Sequence, residues 1–247
     1  MIIIVIVGLV TEGISQMLAL QCTDRISIQH LKTISTSIDK FIYSVCWNGV
    51  EIVAGANNAI LTFSEYNSTN RVNIRGDVSC MRKAGDHAFA ILHHKNDTDR
   101  EVRISSIRTL YDPKSTVFRF NQDVNSLMHL SISDQYIAVC DHDQNVVNLW
   151  TPQGQFKMAV GKEILSFPCG VLLLRDHLLV AGNTDKCLYK FKLDSNSAKL
   201  IWTCKDLDSS TGICVDKHGF IHVARNKGGV IYLISPDGKL PPSMIVA

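Results

Sequence analysis

Eight cysteines, a pair of adjacent histidines and several clustered carboxylates are the side chains of this 247-residue chain with chemistry to offer. The cysteines stand at 22, 46, 80, 140, 169, 187, 204 and 214. No two have the C-x₂-C spacing of a zinc site, and their density is far below that of a disulfide scaffold. Several lie inside apolar runs, such as Cys46 in Tyr43-Ser44-Val45-Cys46-Trp47 and Cys214 in Gly212-Ile213-Cys214-Val215-Asp216. Small buried thiols in a reducing compartment are the expectation. Asn67-Ser68-Thr69 and Asn96-Asp97-Thr98 have the form of N-glycosylation acceptors, but such triplets arise often by chance.

His93 and His94, with Asp97, Asp99 and Glu101 close behind, could hold a metal; in a polar loop they read as solvated side chains. Asp141-His142-Asp143-Gln144-Asn145 imitates the opening of a calcium loop, D-x-D-x-N. Val146 stands where that loop needs glycine and Pro152 where it needs glutamate, so the match is accidental. There is no G-x-S-x-G elbow and no phosphate loop. The formal net charge of +2 is too small to draw nucleic acid or an anionic membrane. No cofactor, catalytic residue, metal or small-molecule substrate is expected, and no membrane partner.

The elements that must carry these residues repeat. At the C-terminal end, Gly212–Asp216 leads through the turn Lys217-His218-Gly219 into Phe220–Ala224. A second turn, Arg225–Gly229, precedes Val230–Ile234 and a closing Ser235-Pro236-Asp237-Gly238-Lys239. These are short β-rich strands punctuated by Gly, Asn and Asp turns. The same order recurs around Glu51–Phe63, Tyr136–Gly154 and Pro168–Phe191, and more faintly around Ala88–Leu92. The small residue ending the second strand falls at 54, 140, 181 and 224, steps of 86 (twice 43), 41 and 43. A fourth apolar segment separates successive units, as at Arg71–Ile74, Val117–Phe120, Phe156–Val160 and Leu200–Thr203. Four strands in 40–45 residues is the signature of a propeller blade.

The expected fold is therefore all-β, a propeller with five legible four-stranded blades over residues 41–247 and a degenerate sixth over 1–40. The N-terminal part holds strand-like pieces at Ile2–Val7, Ile26–Ile28 and Leu31–Ile34. Its first ten residues, MIIIVIVGLV, fall short of the roughly 20 apolar residues of a membrane span. No Lys or Arg precedes Arg25 and Met17–Leu20 is a poor cleavage site, so this β-branched run reads as a buried strand; a signal sequence over 1–20 is the alternative.

Gly212–Lys239 resembles the unit of the NHL-repeat six-bladed propellers, P-x-G-hydrophobic-x-V-D-x-x-G-x-I-Y-V-A-D, a Gly/Asn turn and R-I-x-V-F-S-P-D-G, with no gap. The closing Ser-Pro-Asp-Gly-Lys is most similar to the C-terminal propellers of tripartite-motif proteins. That resemblance implies a recognition module for protein substrates or RNA, serving a ubiquitin-ligase pathway from the cytoplasm; the RING, B-box and coiled coil of that family do not occur in the 247 residues. The family's Asp after V-A is kept only as Asp141 and becomes Gly182 and Arg225, and its paired Asn becomes Gly228-Gly229. These changes read as drift among turn formers. Asp216 is expected to hold its turn to Gly219 by accepting backbone N–H groups.

The architecture also resembles gluconolactonase-like propellers, which hold a divalent metal on carboxylate and amide ligands just before the glycine of the innermost strand. Thr211 and Cys169 stand at those places here, so metal-assisted hydrolysis is not expected.

Blade geometry puts the turns between second and third strands on one side of the disc, with the links from each outer strand to the next inner strand. The expected binding face gathers Asn57, Asn58, His93, His94, Lys95, Arg100, Asp141, His142, Asp143, Thr184, Asp185, Lys186, Arg225, Asn226 and Lys227. Its basic residues are interleaved with Asp97, Asp99, Asp141, Asp143 and Asp185, a mixed sign that favours a protein partner, with RNA as the alternative. Lys217-His218 and Pro236-Asp237-Gly238, on the opposite side, read as plain turns.

Overall fold

A computed structural model describes residues 2–7, 15–22, 28–36, 42–47, 52–63, 69–83, 89–94, 100–105, 116–119, 127–208, 210–225, 230–239 and 243–246. Every regular element among them is a β-strand, and every pairing is antiparallel between chain neighbours. A three-stranded sheet contains β1 (Ile2–Val7), β2 (Ser15–Cys22) and β3 (Ile28–Thr36). A six-stranded sheet contains β4 (Ile42–Trp47), β5 (Ile52–Phe63), β6 (Thr69–Lys83), β7 (Phe89–His94), β8 (Arg100–Ser105) and β9 (Thr116–Arg119). Three four-stranded sheets follow. They are β10 (Leu127–Ile132), β11 (Ile137–Asp141), β12 (Val146–Trp150) and β13 (Phe156–Val160); then β14 (Pro168–Leu174), β15 (His177–Gly182), β16 (Cys187–Leu193) and β17 (Ala198–Cys204); and finally β18 (Ser210–Val215), β19 (Ile221–Arg225), β20 (Val230–Ile234) and β21 (Ser243–Val246).

The repeat deduced from sequence is thus met strand for strand in the last three sheets and not in the first two, which have three and six strands. The six-stranded sheet differs because β5 and β6 run on where the other repeats break. β5 pairs through Ile52–Ala56 with β4 and through Ala59–Phe63 with β6; β6 pairs through Thr69–Asn73 with β5 and through Val78–Lys83 with β7. Ser15–Cys22 is a strand that the sequence reading does not anticipate.

Period-two alternation explains how the sheets stack. In β15, Leu178 and Val180 face the β10–β13 sheet with Val171, Tyr189 and Phe191, while Leu179 and Ala181 face Ile213, Ile221 and Val223 of the last sheet. A strand buried on both faces reads as an unbroken apolar run, and Leu178-Leu179-Val180-Ala181 is one. The first strands of the last three sheets also lie side by side, β10 beside β14 and β14 beside β18, and β6 of the six-stranded sheet lies beside β10.

These strands, and β4, each carry a register shift. It falls between Ile42 and Ser44, Val78 and Cys80, Leu127 and Leu130, Pro168 and Gly170, and Ser210 and Gly212. At three of them the residue after the shift meets the neighbouring strand of this series. Ser44 Oγ accepts the Met81 N–H at 2.8 Å, and Cys80 Sγ accepts the Leu130 N–H at 3.3 Å. At Gly170 a Cβ would stand 2.2 Å from the Thr211 carbonyl oxygen, so only glycine lets β18 approach.

Candidate binding face

The turns of the last three sheets show how this side of the molecule is held. Between β11 and β12, Asp141 pairs with Val146 across a four-residue turn, and its Oδ1 accepts the Gln144 N–H at 3.1 Å. Between β15 and β16, Gly182 pairs with Cys187 across a turn of the same length. Asn145 and Lys186 close the two turns with φ of 55° and 56°. Asparagine enters this left-handed region readily, and lysine does so at a cost that the surrounding bonds must offset.

Those bonds join each turn to the links between sheets. Asn145 Oδ1 accepts the Phe167 N–H at 2.7 Å, tying the β11–β12 turn to the segment that enters β14. Asp185 Oδ2 accepts the Ser166 N–H at 3.1 Å and the Tyr189 hydroxyl at 2.6 Å, while its Oδ1 accepts the Cys187 N–H at 3.3 Å. Burial, followed by the Asp185 carboxylate beside it, pushes the Tyr189 hydroxyl above the usual phenol range, so it remains a donor. In the next link Asp208 takes Lys186 Nζ at 3.3 Å and Arg225 Nη2 at 2.6 Å. Hydrogen bonding from Lys186 comes first among the causes that hold the Asp208 carboxyl below its usual range, and Arg225 adds to it.

Turns and links of the last three sheets are therefore in contact. Of the residues named for the binding face, Asp143, Thr184 and Lys186 are exposed, His142, Asp185 and Arg225 are half-buried, and Asp141 is buried beneath its turn. His142 lies over the Phe167 ring, with centroids 4.3 Å apart, and its Nδ1 is buried without a hydrogen-bond partner among the described residues. Asn58 is exposed within β5 at φ 51°. His93, His94 and Arg100 belong to strands rather than to a swollen turn: His93 pairs with Val78 on one side and Glu101 on the other, and His94 with Asp77 and Arg100. Asn57 likewise pairs with Asp77. Lys95, Asn226, Lys227, Gly228 and Gly229 lie outside the described residues.

Gly182 and Arg225 each have a defined contact. A Cβ at 182 would stand 2.2 Å from Asp185 Oδ1, so the missing side chain makes room for a carboxylate three residues on. At 225 the guanidinium reaches Asp208 in the preceding link. Asp208 and Phe167 are residues the sequence reading missed. Only the apolar Leu165 and Leu207 mark those links in the sequence. The β13–β14 link also exposes Lys162, Glu163 and the apolar Ile164 on this side.

The opposite side is also built up. Asp216 Oδ1 accepts the N–H groups of His218 and Phe220, both at 2.9 Å, and Oδ2 lies 3.3 Å from His222 Nε2. Gly219 has φ 86° in that turn. Pro236–Gly238 is more than a plain turn: Gly238 lies flat on Trp202, where a Cβ would meet the ring at 2.6 Å, and the Pro236 carbonyl accepts from Lys190 Nζ at 3.4 Å.

No disulfide joins the seven cysteines whose side chains are described, and no group of three or more His, Cys, Asp or Glu converges as a metal site among the described residues. Cys169, in the place of a gluconolactonase ligand, is buried, and burial pushes its thiol up to about 11.

No protein-family model matches the chain and no curated protein matches its sequence. Solved structures do match. A structure of the nidogen/laminin complex superposes with a TM-score of 0.71 at 9% identity, covering 90% of this chain and 86% of the other. A protein of unknown function from Bacteroides caccae gives 0.67 at 13% identity over 92% and 90%. The β-propeller domain of Myceliophteria thermophila Cps50 (Swd1) gives 0.62 at 12% identity over 97% and 84%. The fold is a β-propeller. At such identities the likeness concerns the fold alone, and function lives in sites grafted on folds.

Proposed function

We propose that this propeller is a protein-recognition module of the NHL kind, similar in role to the C-terminal propellers of tripartite-motif proteins, cytoplasmic and without catalysis of its own. The observation that carries this reading is the clamped loop side. Turns and links are fixed to one another by Asn145, Asp185 and Asp208, while Asp143, Thr184, Lys162 and Ile164 stand exposed beside them. Unlike side chains on a rigid frame suit a shaped protein surface, since little ordering remains to be done on binding. One of the similar structures is of a complex, that of nidogen with laminin. Another is of streptogramin B lyase, so catalysis is argued from the site: Cys169 and Thr211 offer no carboxylate where a hydrolytic metal would need one.

In this reading the propeller has six blades, the six-stranded sheet counting as two. Val53, Ile60 and Ile74 of its first half bury Val78 and Met81 of its second half, as one blade buries the next. Val78 and Cys80 carry the same register shift as the first strands of the later sheets.

Capture from cell extract, with and without RNase, tests the proposal. Lys186 and Arg225 are poor targets because their loss would also release Asp208, so the informative variants are Ile164→Asp and Asp143→Lys. Loss of a protein partner in both, with unchanged unfolding, supports the reading. Recovery that RNase abolishes favours RNA, and recovery equal to the native chain removes this side from consideration.

A further inference from the structure

The β15–β16 turn, the β17–β18 link and the end of β19 bring one anion and two cations together. Asp208 Oδ1 takes Lys186 Nζ at 3.3 Å, and Oδ2 takes Arg225 Nη2 at 2.6 Å. Nε and Nη2 form the edge of a guanidinium that grips an anion with two parallel bonds. Here that edge is half used: Arg225 Nε is buried with no hydrogen-bond partner among the described residues. Asp208 has two oxygens, and Lys186 holds the one that Nε would need. The backbone beneath is fixed without help from the carboxylate. The Leu207 N–H donates to the Lys186 carbonyl at 2.8 Å, and the Asp208 N–H to the Tyr232 hydroxyl at 3.2 Å. Opening the site therefore asks only the Asp208 side chain to turn, and the way to it is open. That side chain is 38% exposed, with Lys186 at 58% and Arg225 at 32%. Exposed ion pairs of this kind are worth little, so displacing the carboxylate costs little.

We propose that Lys186 and Arg225 form a subsite for a phosphorylated serine or threonine of a protein partner, with Asp208 as the chain's own stand-in for it. The inference rests on the protein-recognition reading above and names the chemistry of the partner. A phosphomonoester has three terminal oxygens, one each for Lys186 Nζ, Arg225 Nη2 and the unpartnered Arg225 Nε. It also carries about −1.5 to −2 charges at pH 7 to set against the two cations. A carboxylate offers two oxygens and one charge, which Asp208 already supplies. The phosphodiester of a nucleic acid has the same shortfall, two free oxygens and one charge, so the geometry favours a phosphorylated protein. Without a ligand, Asp208 keeps the two cations paired; a bound phosphate turns it out to solvent.

The test follows the Arg225 Nε–H resonance of the isotopically labelled full chain by NMR. N-acetyl-phosphoserine amide, dimethyl phosphate and acetate are added in separate titrations at constant ionic strength. Saturable movement in the millimolar range is expected for the phosphoserine probe, with binding at least about tenfold tighter than that of the diester or acetate. Asp208→Asn should tighten phosphoserine binding about two- to fivefold, since it removes the competing ion pair. Arg225→Lys keeps the charge but not the paired edge, and should weaken binding about tenfold, read from the Lys186 and Leu207 amides. Should that variant not fold, Asp208→Asn still decides, because unfolding does not raise affinity. Diester or acetate binding within about twofold of phosphoserine, or no tightening in Asp208→Asn, would overturn the proposal. A protein partner captured by a chain that binds no phosphoserine leaves the recognition reading standing and removes this subsite. Phosphoserine binding without any captured partner does the reverse.

Discussion

The β14–β17 sheet has a neighbour on each side, and its two seams are made from the same repeat by different means. Toward β10–β13 the loop side is closed by neutral acceptors and one carboxylate: Asn145 on Phe167, Asp185 on Ser166, and, lower down, Ser131 Oγ on the Leu173 N–H at 2.9 Å. Toward β18–β21 it is closed by charge, with Asp208 between Lys186 and Arg225, and the far side by Gly238 on Trp202. Exposed ion pairs are weak and screened by salt, whereas hydrogen bonds to half-buried backbone are not. One seam is therefore expected to be indifferent to ionic strength and the other to depend on close packing with an electrostatic trim.

The largest expected effect would break the second seam outright. Gly170→Ala drives a Cβ into the Thr211 carbonyl, backbone against backbone, and should cost about 3 kcal/mol or more, read as a fall in the urea midpoint. Gly238→Ala adds a left-handed φ of 68° to a collision with the Trp202 ring. It should cost about 1–3 kcal/mol and shift the Trp202 fluorescence. In the first seam, Asp185→Asn keeps the shape but weakens three hydrogen bonds, and a loss of about 1–2 kcal/mol that persists in 1 M NaCl is expected. Tyr189→Phe in that background should add little, because the two groups share one bond. The smallest effect belongs to Asp208→Asn, a slight fall in midpoint at low salt that vanishes at high salt. A salt-independent loss there would erase the distinction between the seams.

Acidity sharpens the same contrast from outside the seams. Burial opposes ionisation of Asp216, but His222 and the N–H groups of Phe220 and His218 outweigh it and hold the carboxyl below its usual range. A depressed folded-state value means stability that is present above the unfolded carboxylate value and lost as pH falls through the folded one. Asp216→Asn should therefore flatten the acid limb of a stability profile below pH 4, measured by thermal midpoint.

Most of the scaffold could be read from the residues. Short runs such as Val146–Trp150 and His177–Ala181, separated by turn formers at a 41–43-residue step, name four-stranded units because each element is local and its alternation visible. Asp216 could be read for the same reason: its partners are two and four residues away. His93 and His94 could not. Polar and followed by charged residues, they look like a loop until the neighbours at Val78 and Glu101 are known.

The sequence by itself determined the strand content and the repeat of the last three sheets, both consequences of backbone propensity and period. Tertiary structure alone decided which residue answers which across a seam. Gly182 has meaning only beside Asp185, Arg225 only beside Asp208, and Cys80 only against Leu130. Asp208 and Leu130 lie 17 and 50 residues from their partners, and no periodicity reaches across a blade boundary to pair side chains that distant in the chain.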